Sequence, residues 1–356
     1  MLPYWIMFLL PAVLAGAAGP RKVKRQDRTL SIKLDGAILL VFVAIFVMIG
    51  FRFNVGGDWN NYAGHVEFAR DMTFAEARDM GDPGYWVLVV IGVKSGLGIL
   101  FVNLIASFIF TIGLVAYCGS MSRPFLALTC ALPYLVVVVA MGYTRQSMAI
   151  GLVMLGLALL RRGGIYSFVL LALCGALFHK SAVVIIPIVA ILRSRNRALK
   201  FLFAGAAGAA GYMTLVSDSL DHFMVHYVQA GYQSSGTLIR LVMNAIPAAL
   251  FMMFHKRMDI SGYERQLDLI LSLLSLAALV GFFTTSASTA LDRLALYLIP
   301  VQLFVFSRMP DVLARKAANK QPVVLGIIFY HALIMYVWLN YAANSYAWRP
   351  YFSYLW

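Results

Sequence analysis

Leu34-Asp35-Gly36-Ala37-Ile38-Leu39-Leu40-Val41-Phe42-Val43-Ala44-Ile45-Phe46-Val47-Met48-Ile49-Gly50-Phe51 carries a single charge, Asp35, at its very start. The run has no polar alternation for a half-buried strand and no polar stripe for a surface helix. At 1.5 Å per residue a helix of this length covers about 27 Å, roughly the thickness of the hydrocarbon layer of a bilayer. It therefore reads as a membrane span. The residues that follow, Arg52-Phe53-Asn54-Val55-Gly56-Gly57-Asp58-Trp59-Asn60-Asn61-Tyr62, turn abruptly polar and aromatic, as a segment does on leaving the membrane.

Working outward, similar apolar runs of about 17 to 21 residues fall near 2–19, 97–117, 124–142, 237–254, 266–284, 289–307 and 322–341. Between 145 and 216 the chain is almost continuously apolar. Arg161-Arg162-Gly163-Gly164, His179-Lys180-Ser181 and the basic run 193–200 cut that stretch into four pieces, two of them short enough to be re-entrant. The expectation is an all-α, polytopic membrane bundle of roughly 10–13 spans. Over the whole chain, 62% of residues are hydrophobic and 12% charged, too apolar for the core of a soluble domain.

Lys and Arg test this topology, because they gather on cytoplasmic loops. With the N-terminus placed outside, twenty of the 29 basic residues fall on inner loops, and the nine outer ones face nine outer acids. Both termini are then periplasmic, and the formal charge of +14 belongs to the cytoplasmic face, where anionic lipid accounts for it. Nucleic acid is excluded as a partner. Residues 2–19 lack a basic leader and run into Arg21-Lys22-Val23-Lys24-Arg25, so they read as a retained first helix. Cys118, Cys130 and Cys174 have no ligand or disulfide spacing. His222 and His226, four apart near Asp221, have no metal motif around them, and no metal or cofactor is expected. Gly205, Gly208 and Gly211 suit close helix packing. The chain reads as one membrane domain with two larger outward loops, about 52–84 and 217–236.

In the first loop, Gly56 and Gly57 deliver Asp58 beside Trp59 and Tyr62, rings that suit a sugar. The alternative is an interfacial aromatic belt with a helix-capping Asp. Thr73-Phe74-Ala75-Glu76 fits a capping box, and Asp82-Pro83-Gly84 a turn returning the chain to the membrane at Tyr85-Trp86. Arg145 and Gln146 open a helix at its outer end, where the macrodipole favours an anion over a cation. Arg145 there is either a snorkelling anchor or an anion ligand. Arg52, Arg145, Arg240, Arg293 and Arg349 all lie near outer helix ends, with Asp58 and Asp292 close by in sequence. Five guanidinium groups exceed what two acids pair bidentately, and a diphosphate fits the surplus. His179, followed by Lys180 and Ser181, stands at the outer boundary, as a proton acceptor or as a hydrogen-bonded structural residue. Tyr227 to Tyr232 in the second loop suits a lid or acceptor groove.

Taken together, Gly50 to Tyr62, Asp82-Pro83-Gly84-Tyr85, Arg145-Gln146, Phe178-His179-Lys180-Ser181 and Asp292-Arg293 with Tyr297 resemble the EpsG family over most of the chain. That resemblance implies a Wzy-like exopolysaccharide polymerase of the bacterial inner membrane with the general plan of GT-C glycosyltransferases. The implied substrate is an undecaprenyl-diphosphate-linked oligosaccharide, joined to others on the periplasmic face. A chain-length regulator and export proteins are the implied protein partners. On this reading Arg52, Arg145, Arg293, Lys180 and Arg240 hold the diphosphate, while Trp59, Tyr62, Gln146, Tyr232 and Tyr297 contact sugar. Either Asp58 or His179 takes the acceptor proton, the boundary position leaning toward His179. A flippase of the same lipid-linked sugar is the main alternative and should show inverted repeats or paired broken helices, but no corresponding halves are visible and the mid-span positions are nearly all apolar. A non-catalytic scaffold would not need convergent arginines. A glycan ligase or an acyltransferase is a further option.

Overall fold

The computed structural model describes residues 1–21, 35–188, 192, 236–284, 288–314 and 320–355. The loop 217–235, with His222, His226 and Tyr232, and the glycines at 205, 208 and 211 lie outside the described residues. What is described is a helical membrane bundle whose helices follow the apolar runs. They are α1 (Leu2–Ala17), α2 (Gly36–Gly50), α3 (Trp59–Phe68), α4 (Phe74–Asp79), α5 (Pro83–Lys94), α6 (Ile99–Gly119) and α7 (Pro124–Ala131). After them come α8 (Thr144–Leu160), α9 (Ile165–Ala176), α10 (Thr237–Phe254), α11 (Gly262–Phe282), α12 (Ser288–Ala295), α13 (Pro300–Leu313) and α14 (Lys320–Tyr341). Among the described residues, five helices are long and apolar enough to cross a membrane, and six shorter apolar ones accompany them.

Small residues set the closest crossing. A Cβ on Gly113 of α6 would lie 1.8 Å from the carbonyl oxygen of Gly151 on α8, so both helices need glycine to meet backbone to backbone. Past Pro133, which has no N–H to give a helical bond, α7 widens into a π-helical stretch, Leu132–Ala140. That stretch delivers Met141, Gly142 and Tyr143 to the end of the bundle predicted to face outward.

The first loop is a folded unit. Thr73 and Glu76 form the expected capping box at the start of α4, each side chain bonding the other's backbone N–H. Asp82 adopts φ 63°, and Pro83 opens α5. The start of α5 is fixed by Gly84 N–H donating to Leu177 O at 2.8 Å, beside the end of α9. Its other end turns through Ser95–Gly98 directly into α6, whose first turns pack on Gly50 at the end of α2. Both ends of α5 thus sit at the same end of the bundle, the one predicted to face outward, and α6 then runs back along α2. Tyr62, Ala77, Tyr85, Trp86, Val89 and Val90 give this unit its own apolar core. Thr73→Ala removes one half of the capping box and should cost about 1 kcal/mol, read as faster amide exchange in α4 alone.

Sequence reading did not foresee the C-terminal segment, which staples this end of the bundle. Tyr4 OH donates to Trp348 O at 2.7 Å, Trp348 Nε1–H to Val137 O at 2.7 Å and Tyr351 OH to Met48 O at 2.8 Å. Two residues on each side, Arg52–Phe53 (β1) and Phe352–Ser353 (β2), pair antiparallel. At the opposite end, basic residues expected on inner loops are held in ion pairs: Arg123 and Lys320 with Asp311, and Arg161 with Asp268.

Candidate functional site

The site grows from three chain segments that this end of the bundle brings together: residues 50–62, the start of α8, and the α12 region. Gly56 at φ 113° donates its N–H to Ala347 O at 2.9 Å. A Cβ there would fall 2.2 Å from Met141 O, so only glycine allows the loop to press onto the Met141–Gly142 backbone. Asp58 follows at the first turn of α3. It heads that helix but its carboxylate does not cap it and makes no hydrogen bond among the described residues. The capping role weighed from the sequence is not taken up.

At the start of α8, Arg145 donates through Nη1 to Asp82 Oδ2 at 2.9 Å, and its guanidinium lies 5.5 Å from the centre of the Tyr85 ring. The second oxygen of Asp82 accepts from the Lys180 backbone N–H at 3.2 Å. Asp82 therefore ties α8 to the segment carrying His179, a part the sequence reading gave to turn geometry alone. Beyond its pair with Asp82, 36% of the Arg145 side chain stays exposed, so part of it can still meet a ligand. Gln146 donates to the backbone oxygen of Arg293 at 2.8 Å, fixing α12 against α8. From α10, Arg240 grips Asp292 with both arms of its fork, and Asn244 donates to Ala295 O at 2.8 Å. Gln302 completes that chain by donating to Asn244 Oδ1 at 2.6 Å.

These contacts account for most of the five arginines expected on the outward side. Arg52 is 1% exposed, donating to Ile49 O at 2.6 Å and Thr144 Oγ1 at 2.8 Å, so it fastens the loop to α8 instead of facing a ligand. The sequence could not show this, because both acceptors are uncharged and one lies 92 residues away. Arg240 is taken by Asp292, Arg145 in part by Asp82, and Arg349 donates to Ser345 Oγ at 2.9 Å. Arg293 is different. It is exposed, and among the described residues its guanidinium has no hydrogen bond or ion pair.

Asp58 lies within electrostatic reach of Arg293 and Arg145. Burial pushes its carboxyl above the ordinary value, and the pull of the two arginines does not fully offset this. His179 is placed otherwise. Its Nδ1 sits 2.6 Å from Ser181 Oγ, which is 3.0 Å from Tyr297 OH, so a hydrogen-bonded chain anchors the ring to the interior. Trp59, Tyr62, Gln146 and Tyr297, expected at sugar, are all packed inward, each less than a tenth exposed. Tyr62 and Tyr85 instead form an aromatic wall with His65, whose Nδ1 is 2.9 Å from Tyr85 OH. Burial and the nearby Arg145 lower the His65 pKa below its ordinary value. No group of three His, Cys, Asp or Glu side chains suited to a metal ion occurs among the described residues.

The chain matches the EpsG family over residues 37–353, nearly its whole length, and belongs to that family. No curated protein and no solved structure matches it.

Proposed function

We propose that this EpsG-family membrane protein polymerises lipid-diphosphate-linked oligosaccharide repeats on the outward face of the bacterial inner membrane. The observation that carries the reading is the unmet charge at one spot: Arg293 exposed and without a partner among the described residues, Arg145 partly exposed beside its pairing to Asp82, and a half-buried Asp58 that makes no hydrogen bond among the described residues, within electrostatic reach of both.

The chemistry follows from those three groups. An acceptor hydroxyl attacks the anomeric carbon of the donor; the new C–O bond forms as the bond from that carbon to the diphosphate oxygen breaks. The diphosphate leaves with the electron pair, and the charge it gains is met by Arg293 and Arg145, donors that strengthen as charge develops. Asp58 takes the acceptor proton. A carboxylate raised by burial is a better base than one in water, and it stands beside the arginines that would hold the leaving group. His179, tied through Ser181 to Tyr297, and Lys180, tied through its backbone to Asp82, shape the rim of the site. Arg240 with Asp292 forms the opposite wall.

The test is complementation in a strain lacking the protein, scoring polymer length for wild type and variants with matched membrane expression. Asp58→Asn and Arg293→Ala should leave single lipid-linked repeats on the outer face. Accumulation on the cytoplasmic face would instead assign the protein to lipid-sugar translocation. With purified protein, kcat/KM should fall as pH drops through the raised Asp58 pKa, because only the ionised carboxylate accepts a proton. Asp58→Asn should reduce the rate about 10²–10⁴-fold and abolish that acid limb, whereas His179→Gln should keep it. An acid limb that survives in Asp58→Asn and vanishes in His179→Gln would transfer the base role to His179.

A further inference from the structure

Asp82 opens the Asp82-Pro83-Gly84 turn with a left-handed backbone, φ 63° and ψ 60°. Glycine would serve such a turn with no Cβ in the way, so an aspartate there owes its place to its side chain. A short polar side chain at this position ordinarily caps the helix it heads, as Thr73 caps α4 and Ser261 caps α11. Asp82 does not cap α5. Its buried carboxylate turns elsewhere: Oδ2 accepts from Arg145 Nη1 at 2.9 Å and Oδ1 from the Lys180 N–H at 3.2 Å.

Asp82 is itself held. Gly84 N–H donates to Leu177 O at 2.8 Å, and a Cβ on Gly84 would lie 3.0 Å from that oxygen, so the turn is pressed onto the end of α9. Arg145 has looser company. Its side chain is 36% exposed, its backbone N–H meets Tyr62 OH only at 3.5 Å, and the Tyr85 ring centre lies 5.5 Å from its guanidinium. A long, partly exposed side chain samples several rotamers until a partner fixes it. Asp82 supplies that partner from a rigid turn, and the guanidinium it holds lies within electrostatic reach of Asp58. Both oxygens of Asp82 are engaged, which suits a restraint and not a base.

We propose that Asp82 is a positioning residue that acts through Arg145, its carboxylate fixing the guanidinium where the diphosphate leaves. This rests on the polymerase reading and adds what aims one of its two cations. The effect is large because a cation displaced by about 1 Å can lose about 10²-fold in rate.

The experiment uses the full chain in nanodiscs and, as donor and acceptor, lipid-linked repeats extracted from a strain lacking the protein. Asp82→Gly keeps the left-handed turn and removes only the carboxylate; it should lower kcat/KM about 10²-fold. Asp82→Asn also tolerates that backbone and keeps one acceptor, so it should recover part of the rate. In an Arg145→Ala background Asp82→Gly should cost less than about twofold more, since a residue that acts through Arg145 has nothing left to aim. Phenylglyoxal, which modifies unpaired guanidinium groups, should label Arg145 several times faster in Asp82→Gly than in wild type, with buried Arg52 unchanged. An unaltered rate in Asp82→Gly, a full-sized loss in the Arg145→Ala background, or unchanged Arg145 labelling overturns the proposal. So does Arg52 labelling that rises in both Asp82→Gly and Asp82→Asn, which assigns Asp82 to the fold alone. Faster Arg145 labelling in Asp82→Gly, beside a wild-type protein that forms no polymer, would keep the restraint and sink the polymerase reading.

Discussion

Arg293→Ala should lower kcat/KM for polymer formation about 10²–10³-fold while leaving melting temperature and membrane abundance unchanged. The two halves of that expectation have separate causes. The Arg293 side chain is exposed and bonds to nothing among the described residues, so its truncation orphans no partner and opens no cavity. Gln146 reads only the backbone oxygen of Arg293, which alanine keeps. On the proposed reading, what disappears is a donor that meets the leaving diphosphate, and loss of one such donor typically costs about 3–4 kcal/mol in the transition state. Arg293→Lys should recover only part of the rate, since an ammonium cannot form the paired bonds of a planar fork. Arg52→Ala provides the contrast: it strips Ile49 O and Thr144 Oγ1 of their donor inside a buried joint, so activity and folded protein should fall together. Rate and stability measured side by side separate the two arginines, and a near-wild-type rate for Arg293→Ala would remove it from the site.

The helices were legible because each is decided within its own sequence. An apolar run such as 36–50 must be helical wherever it crosses lipid, since only a helix satisfies its backbone internally. The Thr73–Glu76 capping box was legible for the same local reason. Asp58, Arg145 and Arg293, each singled out in the sequence, lie at one end of the bundle with both arginines within electrostatic reach of the carboxylate. Their individual partners were not legible. Asp292 adjoins Arg293 in sequence yet binds Arg240, because on a short helix neighbouring side chains diverge and the fork on α10 faces Asp292. Asp82 looked like turn chemistry, and its left-handed backbone does serve the turn, but that same geometry aims its carboxylate between Arg145 and Lys180. Trp59, Tyr62 and Tyr297 read as sugar-stacking surfaces since exposure cannot be told from residue type, and packing turned them inward. The C-terminal staple depends on contacts across some 300 residues, for which no local pattern exists.

Asp268→Ala should be the most destabilising single change at the opposite end of the bundle. Asp268 is fully buried and accepts both forks of Arg161, at 2.7 Å each, while Arg161 also donates to Tyr117 OH at 3.0 Å. Tyr117 in turn donates to Pro300 O at 3.0 Å, so one guanidinium joins α6, α8, α11 and the head of α13. The Phe304 ring lies between the guanidinium groups of Arg161 and Arg308, 3.9 Å and 3.8 Å from its centre. Removing the carboxylate strips buried Arg161 of its hydrogen-bonded counterion and leaves it, among the described residues, with only Glu264, which already pairs with Arg308. Losing one partner of a buried pair costs about 3–5 kcal/mol, because the other charge keeps its desolvation penalty. The change should appear as a lower melting temperature in detergent and reduced membrane abundance, with the kcat/KM of the surviving protein unaltered, since none of these residues touches the Asp58 end. Arg161→Met with Asp268→Leu should restore most of the lost stability, a pair of apolar side chains having no charge to strand. If the paired variant melts as low as Asp268→Ala, the cost lies in packing among the four helices and not in an orphaned charge.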